Sequence, residues 1–257
     1  MSKLIGCWAS VLGGCDKLSR EHIISDTVID KLEANKQIVM FGSPWNENME
    51  LRIGKSSFVS KILCKKHNSL LSELDTEAGK MADILNDIFL LLVDKKYEKI
   101  DKVVKLNGYL IERWFLKTTI NRLHWHYPNL QAPSRELVEI VFGLRKYPEN
   151  VGLASIQHSS GKFMMSEHLS GVIDMDILNK SNQPEIMAFS LWGWMFMLPL
   201  TINPIPESLS GMNISIPDRP GYSYLMDAVK SGRREYHPKG LGLTVTKVLK
   251  RKVIFEW

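Results

Sequence analysis

Apolar positions change their period along the chain, and the changes divide it. Up to residue 64 the runs are short. Residues 20–25 predict a strand around Ile23 and Ile24, 27–33 a short helix, 37–41 a strand, and 58–64 another strand with Phe58, Val59, Ile62 and Leu63. A helix is expected from about Asn68 to about Asp94. Its stripe opens on Leu70, Leu71 and Leu74 and continues through Met81, Ile84, Leu85, Ile88, Phe89, Leu92 and Val93 at three- and four-residue spacing. Residues 105–125 predict a second long helix, with Leu106, Leu110, Trp114, Lys117 and Leu123 on or near one face, ended by Pro128 and Pro133. A shorter helix over 135–142 follows the N-cap candidate Ser134. After Pro148 the texture turns to short β-like runs at 152–157, 162–165, 171–175, 185–189 and 195–200. Residues 203–221 are rich in Pro, Ser and Gly and read as loop, 222–229 as a short helix, and 241–255 as a closing strand or hairpin.

This pattern predicts an α+β protein in three parts: an N-terminal module over 1–80, a helical region over 81–148, and a β-rich region over 149–257. No internal repeat is visible. At 257 residues the chain can bury a sizeable core, and 44% hydrophobic with 24% charged residues is an ordinary globular composition. The longest apolar run, 188–202, is broken by Ser190, Gly193 and Pro199 and falls short of the ~20 residues a membrane helix needs. No membrane association is expected. The first residues offer no apolar signal-peptide core. Three cysteines do not make a disulfide framework, so a cytoplasmic setting is expected.

A net charge of +5 favours an anionic partner, nucleic acid being the commonest. Lys17, Arg20, Lys65 and Lys66 flank the most distinctive residues of the chain, and Lys250, Arg251 and Lys252 close a basic C-terminal stretch over 230–252. Such a stretch suits phosphate contact or, equally, a solvated strand face.

The distinctive residues fall in two clusters. The first holds Cys7, Cys15, Glu21 and His22; the second holds Cys64, His67, Asn68 and, two helical turns on, Asp75. Cys64 and His67 have metal-ligand spacing, whereas Cys7 and Cys15 are further apart than usual and read equally as small buried residues. Singly, His22 reads as a strand histidine, Asn68 as a helix cap and Asp75 as a surface charge. Elsewhere, His124 and His126 diverge around a helix end, Glu167-His168 lacks a partner cluster, and Trp192-Gly193-Trp194 reads as core packing.

In order and spacing, Cys7…Cys15…Glu21-His22-Ile23-Ile24 followed by Cys64-Lys65-Lys66-His67-Asn68 and Asp75 resembles the HNH (ββα-metal) nucleases, in the zinc-containing subgroup. The resemblance covers residues 1 to about 80. His67 stands where a fourth cysteine is usual, Ser25 where proline is common, Ser72 where glycine is frequent, and Glu21 is longer than an aspartate before the histidine. The resemblance implies a structural zinc on Cys7, Cys15, Cys64 and His67, His22 as general base, and a catalytic Mg²⁺ or Mn²⁺ held by Glu21, Asn68 and Asp75. It implies metal-dependent hydrolysis of DNA, ahead of RNA; independently of it, the charge pattern offers Arg20, Lys65, Lys66, Lys250, Arg251 and Lys252 as nucleic-acid contacts. By analogy alone, such a chain is a restriction or phage-defence effector whose C-terminal region meets a partner or activator. A non-catalytic zinc-stabilised module that grips nucleic acid or protein is the rival expectation.

Overall fold

A computed structural model describes residues 6–32, 38–41, 51–93, 103–127, 132–148, 152–158, 172–180, 183–192, 194–200, 213–215, 223–225, 241–244 and 252–256. Helices and strands mix in an α+β arrangement, as the pattern predicts. Strands β1 (Leu18–His22) and β4 (Val59–Cys64) form an antiparallel ribbon that pairs Leu18 with Cys64, Glu21 with Ser60 and His22 with Val59. A bulge between Ser19 and Glu21 sets two β4 residues, Lys61 and Ile62, against Arg20.

The ribbon runs directly into α2 (Lys65–Ser69) and α3 (Ser72–Val93). The single helix expected from Asn68 is therefore two. The Leu71 and Leu74 amides bond three residues back instead of four, and the Ser72 hydroxyl donates to the Ser69 carbonyl. Helix α1 (Asp26–Leu32) buries Val28, Ile29 and Leu32 and lies close on α3 at Gly79, where a Cβ would meet the Thr27 side chain at 3.1 Å.

The expected helix over 105–125 starts late. Val103–Asn107 is strand β5, and α4 (Gly108–His126) begins beyond it, capped by Asn107, whose side chain accepts the Leu110 N–H at 3.1 Å. The β-branched Val103-Val104 pair finds a partner in the C-terminal hairpin of β12 (Leu241–Thr244) and β13 (Lys252–Glu256), with β13 lying parallel to β5. A long-range pairing has overridden a helical local pattern. Helix α5 (Arg135–Val141) starts on the expected Ser134 cap.

Strands β2 (Ile38–Phe41), β3 (Leu51–Ile53), β6 (Ala154–His158), β7 (Val172–Lys180), β8 (Gln183–Leu191), β9 (Trp194–Pro199), β10 (Asn213–Ser215) and β11 (Ser223–Leu225) make one sheet, in the order β10-β11-β6-β9-β8-β7-β2-β3. Four of the predicted β runs are thus strands; the run at 162–165 lies outside the described residues. Residues 223–225, expected in a helix, are strand β11, because β6 and β10 flank them. Within the expected loop, 213–215 is strand. Strand β2, from inside the N-terminal third, pairs with β7 in parallel, so this sheet draws on both ends of the chain.

The core centres on α4. Phe115 is fully buried, with ring centroids 4.9 Å from Trp114, Phe189 and Phe196. Most of α4 is buried, including the charged residues Glu112, Lys117 and Arg122. No helix among the described residues is long and apolar enough to cross a membrane.

Candidate metal centre and the histidine strand

The loop before β1 brings the two widely spaced cysteines together. A 3₁₀ turn at Ser10–Leu12 ends on Gly13 (φ 76°) and Gly14 (φ 67°), both left-handed, and the chain doubles back so that Cys15 meets Cys7. A side chain at Gly14 would also collide with the Lys66 ammonium, at 2.6 Å. On the other side, Cys64 ends β4 and caps α2, its Sγ accepting the His67 N–H at 3.4 Å. That places the ring of His67 over its own cap residue, three positions away.

The four ligand atoms lie within 4.8 Å of one another. His67 Nδ1 is 3.5 Å from Cys7 Sγ, 3.6 Å from Cys15 Sγ and 3.3 Å from Cys64 Sγ. A tetrahedral zinc with arms of about 2.3 Å to sulfur and 2.0–2.1 Å to nitrogen has a sulfur–nitrogen edge of roughly 3.5 Å. The donors fit such an ion. Burial lowers the His67 pKa, which keeps the ring neutral and its lone pair available. Burial likewise pushes the Cys7 thiol up to about 12, against the lowering effect of the Cys64 and Ala9 amides, so a cation has to displace its proton. The Cys64 N–H pointing at Cys7 Sγ at 3.4 Å is the kind of outer bond that steadies a metal thiolate. Phe142 packs edge-on against the His67 ring, with centroids 5.4 Å apart. Cys7, Cys15, Cys64 and His67 are positioned to bind a metal such as zinc.

The remaining expected site residues divide across β1. Glu21 points into the core and is 4% exposed, while His22, next along the strand, points the other way with 34% of its side chain exposed. Glu21 and Asp75 do converge, on the ammonium of Lys117. Lys117 Nζ lies 2.7 Å from Glu21 Oε1, 2.8 Å from Asp75 Oδ1 and 2.9 Å from Asp75 Oδ2, three acceptors for its three protons. Ser25 Oγ donates to Asp75 Oδ1 and accepts the Trp114 indole N–H at 2.6 Å. Asn121 donates to Glu21 Oε1 at 3.3 Å and to the His22 carbonyl at 3.2 Å, and its oxygen accepts the Trp8 indole N–H at 2.9 Å.

The electrostatics of this cluster are those of a buried, paired cation. Burial alone would discharge Lys117, but the Glu21 and Asp75 carboxylates outweigh it and hold its pKa above the ordinary lysine value. Burial raises the Glu21 pKa, with Lys117 and Asn121 opposing. A divalent ion does not fit between these carboxylates as they stand, since the ammonium fills the space and takes the hydrogen bonds. Asn68 is not part of this group; its amide donates to Ser19 Oγ at 3.3 Å, which in turn donates to the Leu63 carbonyl.

His22 has a different partner. Its Nε2 lies 3.3 Å from Oδ1 of Asp26, the first residue of α1, and Lys55 Nζ sits 2.8 Å from the same oxygen. Arg20, Lys61, Lys65 and Lys66, with Lys17, are exposed along the ribbon and the start of α2. Lys250 and Arg251 lie outside the described residues, and Lys252 opens β13 opposite Thr244 and Val103.

Sequence reasoning placed Trp114 and Lys117 on the apolar stripe of their helix without a further role, and did not single out Asp26 or Asn121. The signal was there in Lys117: a lysine inside an apolar stripe calls for a buried carboxylate. Comparison with models of protein families, with curated proteins and with solved structures found no match to this chain.

Proposed function

We propose that this chain is an HNH-type endonuclease that hydrolyses DNA phosphodiester bonds, acting in restriction or phage defence. One observation carries the reading: a metal-ligand cluster staples a ribbon to a helix while the same ribbon presents His22, solvent-accessible, with its imidazole against a carboxylate. His22, its Nε2 3.3 Å from Asp26 Oδ1, is the general base that takes a proton from the attacking water. Asp26 orients the ring and stabilises the imidazolium that forms. Arg20, Lys65 and Lys66 hold the phosphate backbone. A divalent ion, where this family uses one, neutralises charge on the phosphate and the leaving oxygen. Glu21 and Asp75 are engaged by Lys117, so no step is assigned to a metal held there.

The same engagement favours a second reading, in which the zinc-stabilised ribbon binds nucleic acid or protein without cutting it. The experiment that separates the two is incubation of supercoiled plasmid with the purified chain and Mg²⁺ or Mn²⁺, with His22→Ala beside it and single-stranded RNA as a parallel substrate. Nicking by the wild type alone is expected, with zinc content and DNA affinity unchanged in His22→Ala. Equal nicking by both proteins removes His22 as the base. No nicking by either leaves the binding module, and cleavage of RNA alone changes the substrate.

A further inference from the structure

The two carboxylates that the HNH resemblance assigns to a catalytic metal are the ones Lys117 holds. We infer that Lys117 takes the place of a divalent cation: the Glu21–Asp75 pair is closed by an ammonium built into α4, and the chain takes up no divalent ion at these carboxylates.

Three features of the arrangement argue for this. The ammonium is saturated, since Glu21 Oε1 and both Asp75 oxygens account for its protons at 2.7–2.9 Å. The oxygens are occupied from the other side as well: Glu21 Oε1 also accepts from Asn121, and Asp75 Oδ1 from Ser25. The ammonium itself is closed off from solvent, with the Lys117 and Glu21 side chains 2% and 5% exposed, while Asp75 keeps 29% of its side chain exposed on the outer side. An entering divalent ion would have to expel a paired buried cation, leaving either a second positive charge beside it or a lysine with no partner, and both are costly in a medium of low dielectric.

The consequence is a role for Lys117 as a positioning residue. It fixes Glu21, whose neighbour Asn121 bonds to the His22 carbonyl, so the strand that presents His22 is tied from inside the core by side chains of α4. Removing the ammonium leaves two carboxylates facing each other across an open space, which is the composition of a divalent-cation site. Lys117→Ala should therefore create the metal site that the wild type has closed.

The inference does not depend on cleavage. A chain that cuts DNA with an ion bound elsewhere, and a chain that never cuts, both leave it standing.

The test is Mn²⁺ binding to the zinc-loaded full chain, read from the electron paramagnetic resonance of the free ion. Glu21→Gln, Asp75→Asn and Lys117→Ala are measured beside the wild type, and folding is checked by circular dichroism. The wild type, Glu21→Gln and Asp75→Asn should give the same isotherm, because any Mn²⁺ they bind sits elsewhere. Lys117→Ala should gain one site, with a Tm that rises on adding Mn²⁺. If Lys117→Ala folds only in the presence of Mn²⁺, the gain is the same. If it fails to fold in either condition, the comparison of the wild type with the two carboxylate variants decides. An Mn²⁺ bound by the wild type and lost in Glu21→Gln or Asp75→Asn overturns the inference.

Discussion

Replacing Cys64 by serine isolates the metal bond, because serine keeps nearly everything else at that position. Cys64 caps α2 through its side chain, and a serine hydroxyl caps a helix well, so the roughly 1 kcal/mol of capping survives. What is lost is one ligand of the cluster positioned to bind a metal, and the loop that such a metal would tie down is 6–17. Ordering that loop costs about 1–2 kcal/mol per residue, on the order of 15 kcal/mol in all. Burial of Trp8, Cys7 and Ala9 returns roughly 6 kcal/mol. The Trp8 amide on Ile62, the turn bonds of Ser10, Leu12 and Gly13, and the Trp8 indole on Asn121 add about 1 kcal/mol each. The loop is left short by a few kcal/mol, and a structural zinc, worth about 10 kcal/mol or more in small domains, more than covers this. Cys64→Ser should therefore contain no zinc by elemental analysis. Its amides over 6–17 should lose hydrogen-exchange protection while α3 and α4, whose buried residues are independent of the metal, keep theirs. Zinc absent from both proteins, with 6–17 equally protected in each, would refute the staple.

Asp26→Asn should lower plasmid nicking by roughly ten- to a hundredfold without changing DNA affinity, since it weakens the hold on the His22 imidazole and leaves the base in place; unchanged nicking removes Asp26 from the reaction. Phe115→Ala deletes a fully buried ring between α4 and strands β8 and β9 and should cost about 3–5 kcal/mol, a Tm fall of roughly 10 °C by calorimetry. A fall within error would mean that α4 and the sheet do not share a core. Lys65→Ala and Lys66→Ala should each reduce the slope of log K for DNA against log salt by about 0.9 if each touches a phosphate. An unaltered slope places the nucleic acid on another face.

The metal cluster was legible because its information is local. Residue type and the Cys64–His67 spacing mark one pair, and Gly13-Gly14 marks the turn that folds back the other, although the angles that close it were not readable. Element types were legible where the pairing that stabilises them is also local, as in α1, α5 and the β8–β9 hairpin. They failed at 105–107 and 223–225, where a strand forms because its partners, β13 for one and β6 with β10 for the other, arrive from far along the chain. The fate of Glu21 and Asp75 was hidden for the same reason. Each is a sensible metal ligand beside its own neighbours, and only the packing of α4 against β1 and α3 brings Lys117 between them.

That packing gives α4 a purpose beyond filling the core. Phe115 and Lys117 are two residues apart on a helix, about 200° around its axis, so they face nearly opposite ways. Phe115 meets Phe189 and Phe196 in the large sheet, and Lys117 meets the carboxylates behind the histidine strand. A rigid helix of this kind cannot shift on one side alone, because a close-packed interior has no slack to absorb the movement. A partner that displaced β8 or β9 would move Lys117 and Asn121 together, and through them Glu21 and the His22 carbonyl. Loss of protection at 19–22 in Phe115→Ala, read in the same exchange experiment as Cys64→Ser, is the expected sign of that linkage. Protection there at the wild-type level would confine the two faces of α4 to separate roles.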